Sequence, residues 1–160
     1  MPEKEKATII VFSSDIDKVF AALTIATGAL SMNMDVTLFF TFWGLNVIRK
    51  ENTTKKKIGI IRKLFSKFNK GGAHNLKLSK FNMGGIGTHL MKNIMKKVNM
   101  NDTQTMLKTA KTMGAKIVAC NTTLEFMGIS KNDLINEVEK TSGVATYIAD
   151  AKKSKINLFI

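Results

Sequence analysis

The sequence predicts an α/β domain built on a mainly parallel sheet of about five strands. Short, β-branched apolar runs have the length of strands buried on both faces, helical apolar periodicity lies between them, and capping residues mark the junctions. The chain of 160 residues is long enough to bury a sizeable core as one domain, with no need of disulfide or metal.

Residues 7–12, ATIIVF, form the first expected strand. Ser14 and Asp17 follow at capping-box spacing. Ile16, Val19, Phe20, Leu23, Ala26, Thr27 and Leu30 then recur with helical period, one face toward a core, and the first β-α unit ends by Met32. Asn33, Met34 and Asp35 turn the chain into a second strand over residues 36–42, VTLFFTF. Two strands joined by one helix imply a parallel pair with a right-handed crossover. Residues 19–48 are apolar enough to raise the question of a membrane span, but Asp35 interrupts them. Neither half reaches the roughly 18 to 20 residues that a crossing needs.

The pattern returns toward the other end. Asp102 caps a helix with Met106, Leu107, Ala110 and Met113 on its apolar face, Gly114 closes it, and residues 115–120, AKIVAC, make a strand. Asn121, Thr122 and Thr123 open the next helix or tight turn. Ser130 and Asp133 repeat the capping-box spacing ahead of Leu134, Ile135 and Val138, and a short strand is expected around residues 137–140. Val144, Tyr147, Ile148 and Ala151 share one face of a helix over residues 143–151, and residues 155–160 form a terminal strand.

The segment between these halves differs in character. Residues 49–97 hold 14 Lys and Arg against one acid, Glu51, while the rest of the chain balances 11 basic with 11 acidic side chains. The net charge of +13 therefore belongs to this basic insertion. Ile58, Ile61, Leu64, Phe65 and Phe68 predict an amphipathic basic helix, ended by Gly71 and Gly72. Gly84, Gly85, Gly87 and Thr88 then lead into a helix carrying His89, Leu90, Ile94 and Met95. Such charge suits an anionic partner: nucleic acid, with Phe65, Phe68 and Phe81 able to stack bases, an acidic protein, or a membrane surface. No nucleic-acid-binding module is recognisable.

Cys120 is the only cysteine, which excludes an intramolecular disulfide and suits a reducing cytoplasm. The opening residues, MPEKEK, lack the basic-then-apolar order of a secretory signal. The thiol falls where a strand ends and a helix begins, so unsatisfied amides favour its thiolate. In open parallel sheets, ligands bind beyond the carboxyl ends of the strands. Cys120 is thus either a nucleophile with Asn121 and Thr122 as donors, or a small buried hydrophobe. The loop of Gly84, Gly85, Gly87 and Thr88 is either an anion cradle at a helix start or a lid and close backbone approach. It lacks the lysine of a nucleotide-binding P-loop. His89 is the candidate proton partner and His74 the other histidine. Their spacing with Cys120 resembles no zinc site, and no metal or cofactor is expected. Asp15 and Asp17 read as helix-start acids. The ten methionines suggest an adaptable core and subunit contacts.

Residues 9–15 (IIVFSSD), 39–45 (FFTFWGL), 82–88 (NMGGIGT), 118–120 (VAC) through 127–129 (MGI), and 143–147 (GVATY) carry a resemblance over nearly the full length. The chain resembles the DsrE/DsrF/DsrH-like superfamily, particularly its single-domain branch labelled peroxiredoxin-like. The resemblance implies a doubly wound, three-layer α/β/α domain over residues 1–160, with 49–97 as an insertion, usually homo-oligomeric. Cys120 matches the family cysteine that carries sulfur as persulfide or thio-adduct. The implied function is a cytoplasmic sulfur carrier or sulfurtransferase whose partners are donor and acceptor proteins or small sulfur species. No resolving cysteine and no Thr-x-x-Cys motif accompany it, so peroxide reduction is not implied. The competing reading is a non-catalytic adaptor. In it the basic insertion binds nucleic acid, a membrane surface or an acidic protein, and Cys120 only packs.

Overall fold

The computed structural model describes residues 4–51 and 71–160. Five strands, β1 (Lys6–Val11), β2 (Asp35–Phe40), β3 (Lys116–Cys120), β4 (Lys140–Ser142) and β5 (Ile156–Phe159), lie in the order β4-β3-β2-β1-β5. Every neighbouring pair is parallel. Among the described residues the helices are α1 (Ile16–Ser31), α2 (Ile86–Lys97), α3 (Thr103–Thr112), α4 (Asn121–Met127) and α5 (Val144–Ala151). The sequence-predicted amphipathic helix of Ile58 to Phe68 lies outside the described residues.

Topology decides which helix covers which face. The steps β1 to β2 to β3 to β4 all move the same way across the sheet, so right-handed crossovers place their helices on one side. There α1 and α3 pack on each other and on Ala7, Ile9, Val11, Val36, Leu38, Phe40, Ile117 and Ala119, the main core. The return from β4 to β5 runs in the opposite direction, which puts α5 on the other side. Tyr147 and Ala151 of α5 accordingly pack with Ile10, Phe39, Val118 and Cys120, the alternate residues of the same strands.

The stretch over residues 19–48 resolves into most of α1, β2 and the 3-10 turn Phe42–Asn46, with β2 and one face of α1 buried in this core. Among the described residues, no helix is long and apolar enough to cross a membrane.

Several local expectations differ. Ser14 does not cap α1: Asp15 occupies the cap without a side-chain capping bond, and Ser13 Oγ accepts from the Asp15 amide at 3.0 Å. Asp17 faces elsewhere, accepting from Ser79 N at 3.0 Å and Ser79 Oγ at 2.5 Å, which ties the 77–80 segment across the start of α1. Strand β2 stops at Phe40, because Phe42 turns to φ +48 and a 3-10 turn over Phe42–Asn46 begins. Ser130 and Asp133 do form a capping box, but it closes on the single 3-10 turn Lys131–Asp133. The chain then runs extended so that Ile135 N can reach Ile48 O. The edge strand expected at residues 137–140 lies slightly later, at Lys140–Ser142. On α2, Met95 reaches the core while Leu90 and Ile94 are exposed.

The turn after β2 is fixed by a glycine. Thr41 N donates to Val11 O and Gly44 N to Phe12 O, drawing the turn against the end of β1. A Cβ on Gly44 would stand 2.0 Å from Val11 O. Gly44→Ala is therefore expected to destabilise the protein by about 3 kcal/mol through overpacking, read as a lower denaturation midpoint. Gly28→Ala gives the contrasting sign. Gly28 is exposed on α1 with nothing within 4 Å of the added methyl, so a gain of about 0.5–1 kcal/mol is expected in the same experiment.

Candidate functional site

Strand β3 passes into α4 with no residue between them, so Cys120 is both the last residue of the strand and the N-cap of the helix (φ −72, ψ 115). The first amides of a helix have no partner within it, and those of Thr122 and Thr123 act on the sulfur. The sulfur makes no side-chain capping hydrogen bond of ordinary geometry. From the neighbouring strand end, Thr41 adds a second source of donors. Its Oγ1 lies 2.9 Å from Thr123 Oγ1, and the Phe42 amide donates to Thr123 Oγ1 at 3.4 Å.

Two opposing effects act on the thiol. Burial raises it, because Cys120 is 6% exposed and a desolvated thiolate is disfavoured. The Thr123 and Thr122 amides and the Thr41–Thr123 hydroxyl pair act against burial and hold the thiol below its ordinary value. Because one hydroxyl proton is spent between Thr41 Oγ1 and Thr123 Oγ1, one hydroxyl of the pair is left to face the sulfur. The site is thus a covered sulfur whose thiolate is more accessible than that of an ordinary cysteine, which is the direction a nucleophilic thiol requires.

Aromatic rings cluster at this end of the sheet. Phe42 stacks on Phe12 at 5.2 Å and approaches Phe126 of α4 at 6.1 Å and Trp43 at 6.3 Å, while Phe12 meets Phe159 at 5.4 Å. Phe42, Trp43, Phe126 and Phe159 are exposed. They make an apolar rim at the carboxyl edge of the sheet.

The residues anticipated from sequence divide into two groups. Thr122 is exposed and Asn121 half-buried at the head of α4 beside Cys120. The loop of Gly84, Gly85, Gly87 and Thr88 and the exposed His89 contribute nothing to the polar groups acting on the sulfur. That loop satisfies itself. The amides of Gly85 and Gly87 donate to Asn82 O, and Thr88 Oγ1 donates to Asn82 Oδ1 and accepts from Leu78 N. Gly87 is required because its Cβ would stand 1.8 Å from Phe81 O. His74 sits 3.6 Å from Asp102, and among the described residues no three His, Cys, Asp or Glu side chains converge. A cleft of about 420 Å³ lies elsewhere, lined by Arg49, Lys50, His74 and Lys108 with Glu51 and Glu137.

Sequence reasoning did not single out Thr41 and Thr123 as donors. The signal available was the register: Phe40 pairs with Ala119, so the residue after each strand position falls beside its counterpart.

Comparison with known proteins adds a family. The chain is 40% identical over 158 residues to the uncharacterized protein YrkE of Bacillus subtilis (strain 168), covering 99% of this chain and 98% of that one. It is 25% identical over 159 residues to the sulfur carrier protein DsrE2 of Allochromatium vinosum, covering 99% of each. Two solved structures share the fold. They are the protein of unknown function MTH1491 from Methanobacterium thermoautotrophicum (TM-score 0.58, 12% identity, 98% of this chain and 100% of that one) and the ychN protein from E. coli (TM-score 0.57, 12% identity, 99% and 100%). The DsrE/DsrF/DrsH-like family model matches residues 3–159, and the chain belongs to that family.

Proposed function

We propose that the protein is a sulfur carrier in which Cys120 accepts sulfane sulfur and passes it to a partner thiol. The observation that carries this reading is the set of Thr donors around a covered sulfur whose thiolate they favour. The Cys120 thiolate attacks the outer sulfur of a donor persulfide, forming one S–S bond as the donor's S–S bond breaks. The donor leaves as a thiolate with the electron pair of that bond. Nothing is oxidised or reduced overall. Release to an acceptor thiolate is the same exchange in reverse, with the Thr122 and Thr123 amides receiving the restored Cys120 anion.

The similarity to a sulfur carrier over 99% of each chain supports the reading, and the lone thiol suits a reducing compartment such as the cytoplasm. Exposed Lys77, Lys80, Lys96 and Lys97 favour a partner, or a small sulfur species, that bears negative charge. Exposed Val144 and Ile148 on α5 offer apolar surface for self-association. An adaptor whose cysteine only packs is the second reading, favoured by the 6% exposure of Cys120.

Intact mass separates the two. After treatment with polysulfide, the wild type is expected to gain sulfur and Cys120→Ser none. An unmodified wild type, combined with salt-sensitive binding of a fluorescent oligonucleotide, supports the adaptor instead. A second variant probes the donors. Thr123→Val removes a hydroxyl that favours the anion, so its pH profile for alkylation is expected to shift to higher pH, with the rate at neutral pH falling about tenfold. An unshifted profile removes the Thr123 hydroxyl from the mechanism.

A further inference from the structure

Strands β3 and β4 end together, and in their register Cys120 is the direct partner of Ser142. Register partners on neighbouring parallel strands, about 4.8 Å apart, project from the same face. Ser142 therefore stands beside Cys120 on the face that α5 covers. It is 9% exposed, its Oγ is sealed from solvent, and the hydroxyl has no hydrogen-bond partner among the described residues. A buried hydroxyl left unmatched weakens a fold, and native structures rarely keep one without use.

The donors already assigned reach the sulfur from the end of β2 and the head of α4. None of them comes from β4. A second sulfur bonded to Cys120 would lie roughly 2 Å beyond Sγ. It would carry its own charge and need its own donor.

We propose that Ser142 Oγ is the hydrogen-bond donor to the outer sulfur of a Cys120 persulfide; this rests on the carrier reading above. Sulfur arrives by attack of the Cys120 thiolate on a donor persulfide, the new S–S bond replacing the donor's. The proton of the transferred sulfur passes to the departing thiolate, leaving the outer sulfur anionic. Ser142 keeps its own proton and donates only a hydrogen bond, so no oxidant, reductant or further base enters. In the sulfur-free protein the hydroxyl waits unmatched. In the loaded protein it is satisfied, and the fold favours the loaded state by that difference.

The test uses the full chain, with inorganic polysulfide as the sulfur source. Wild type, Ser142→Ala and Ser142→Thr are loaded, followed by intact mass over time, and melted with and without added sulfur. Ser142→Ala is expected to melt higher than wild type when unloaded and to lose the stabilisation that loading gives. Its persulfide half-life is expected to fall about tenfold. Ser142→Thr, which retains the hydroxyl, is expected to keep the wild-type half-life. A Ser142→Ala protein with wild-type half-life and undiminished stabilisation on loading overturns the role of Ser142 while leaving the carrier intact. A wild type that takes up no sulfur overturns both.

Discussion

The direct passage of β3 into α4 is the constraint on which the site depends. A strand running into a helix without a loop makes one residue serve both elements, and that residue is Cys120. The strand drives its side chain into the layer beneath α5, while the helix turns its unpaired first amides toward it. Burial alone would make the thiol a poor nucleophile. The Thr122 and Thr123 amides together with the Thr41–Thr123 hydroxyl pair at the sheet end oppose that effect, and the thiol lies below its ordinary value.

The sheet topology explains why this happens on the thinner face. Three crossovers in one direction place α1 and α3 over the main core, and the single reversed crossover leaves eight-residue α5 on the other side. Tyr147 is its buried side chain. Cys120 and Ser142 thus sit together beneath a light cover rather than inside the deep core. The tight turn at Gly44 fixes the other flank: because the chain is drawn against Val11 and Phe12, Thr41 is held at the sheet edge. A buried sulfur in this setting is shielded from bulk solvent yet near the surface, with exposed Thr122 next to Thr123.

Much of this architecture was legible in the residues. β1 and β3 are apolar because both of their faces are covered, and Asp102 and Gly114 mark α3 because capping is decided within a few residues. The strand-to-helix junction at Cys120 was legible for the same reason. Illegible features depend on distant partners. The Ser14 box fails because Asp17 is engaged by Ser79, 62 positions away, and the Thr41–Thr123 pair spans 82 positions. A three-residue edge strand such as β4 leaves almost no periodicity, so the position of Ser142 beside Cys120 emerges only from the register. The left-handed backbone at Phe42 has no local signature either, since an aromatic residue is disfavoured there.

Thiolate absorbance gives the most direct test, because a single cysteine makes the signal unambiguous. The full chain is titrated upward in pH while folded, and again in denaturant. The expected midpoint for the folded protein lies below that of the unfolded chain. Stability then grows as pH rises from the folded midpoint toward the unfolded one, and is lost as pH falls back through it. A folded midpoint equal to or above the unfolded value would show burial prevailing over the threonine donors, and would contradict a sulfur anion held at the end of β3.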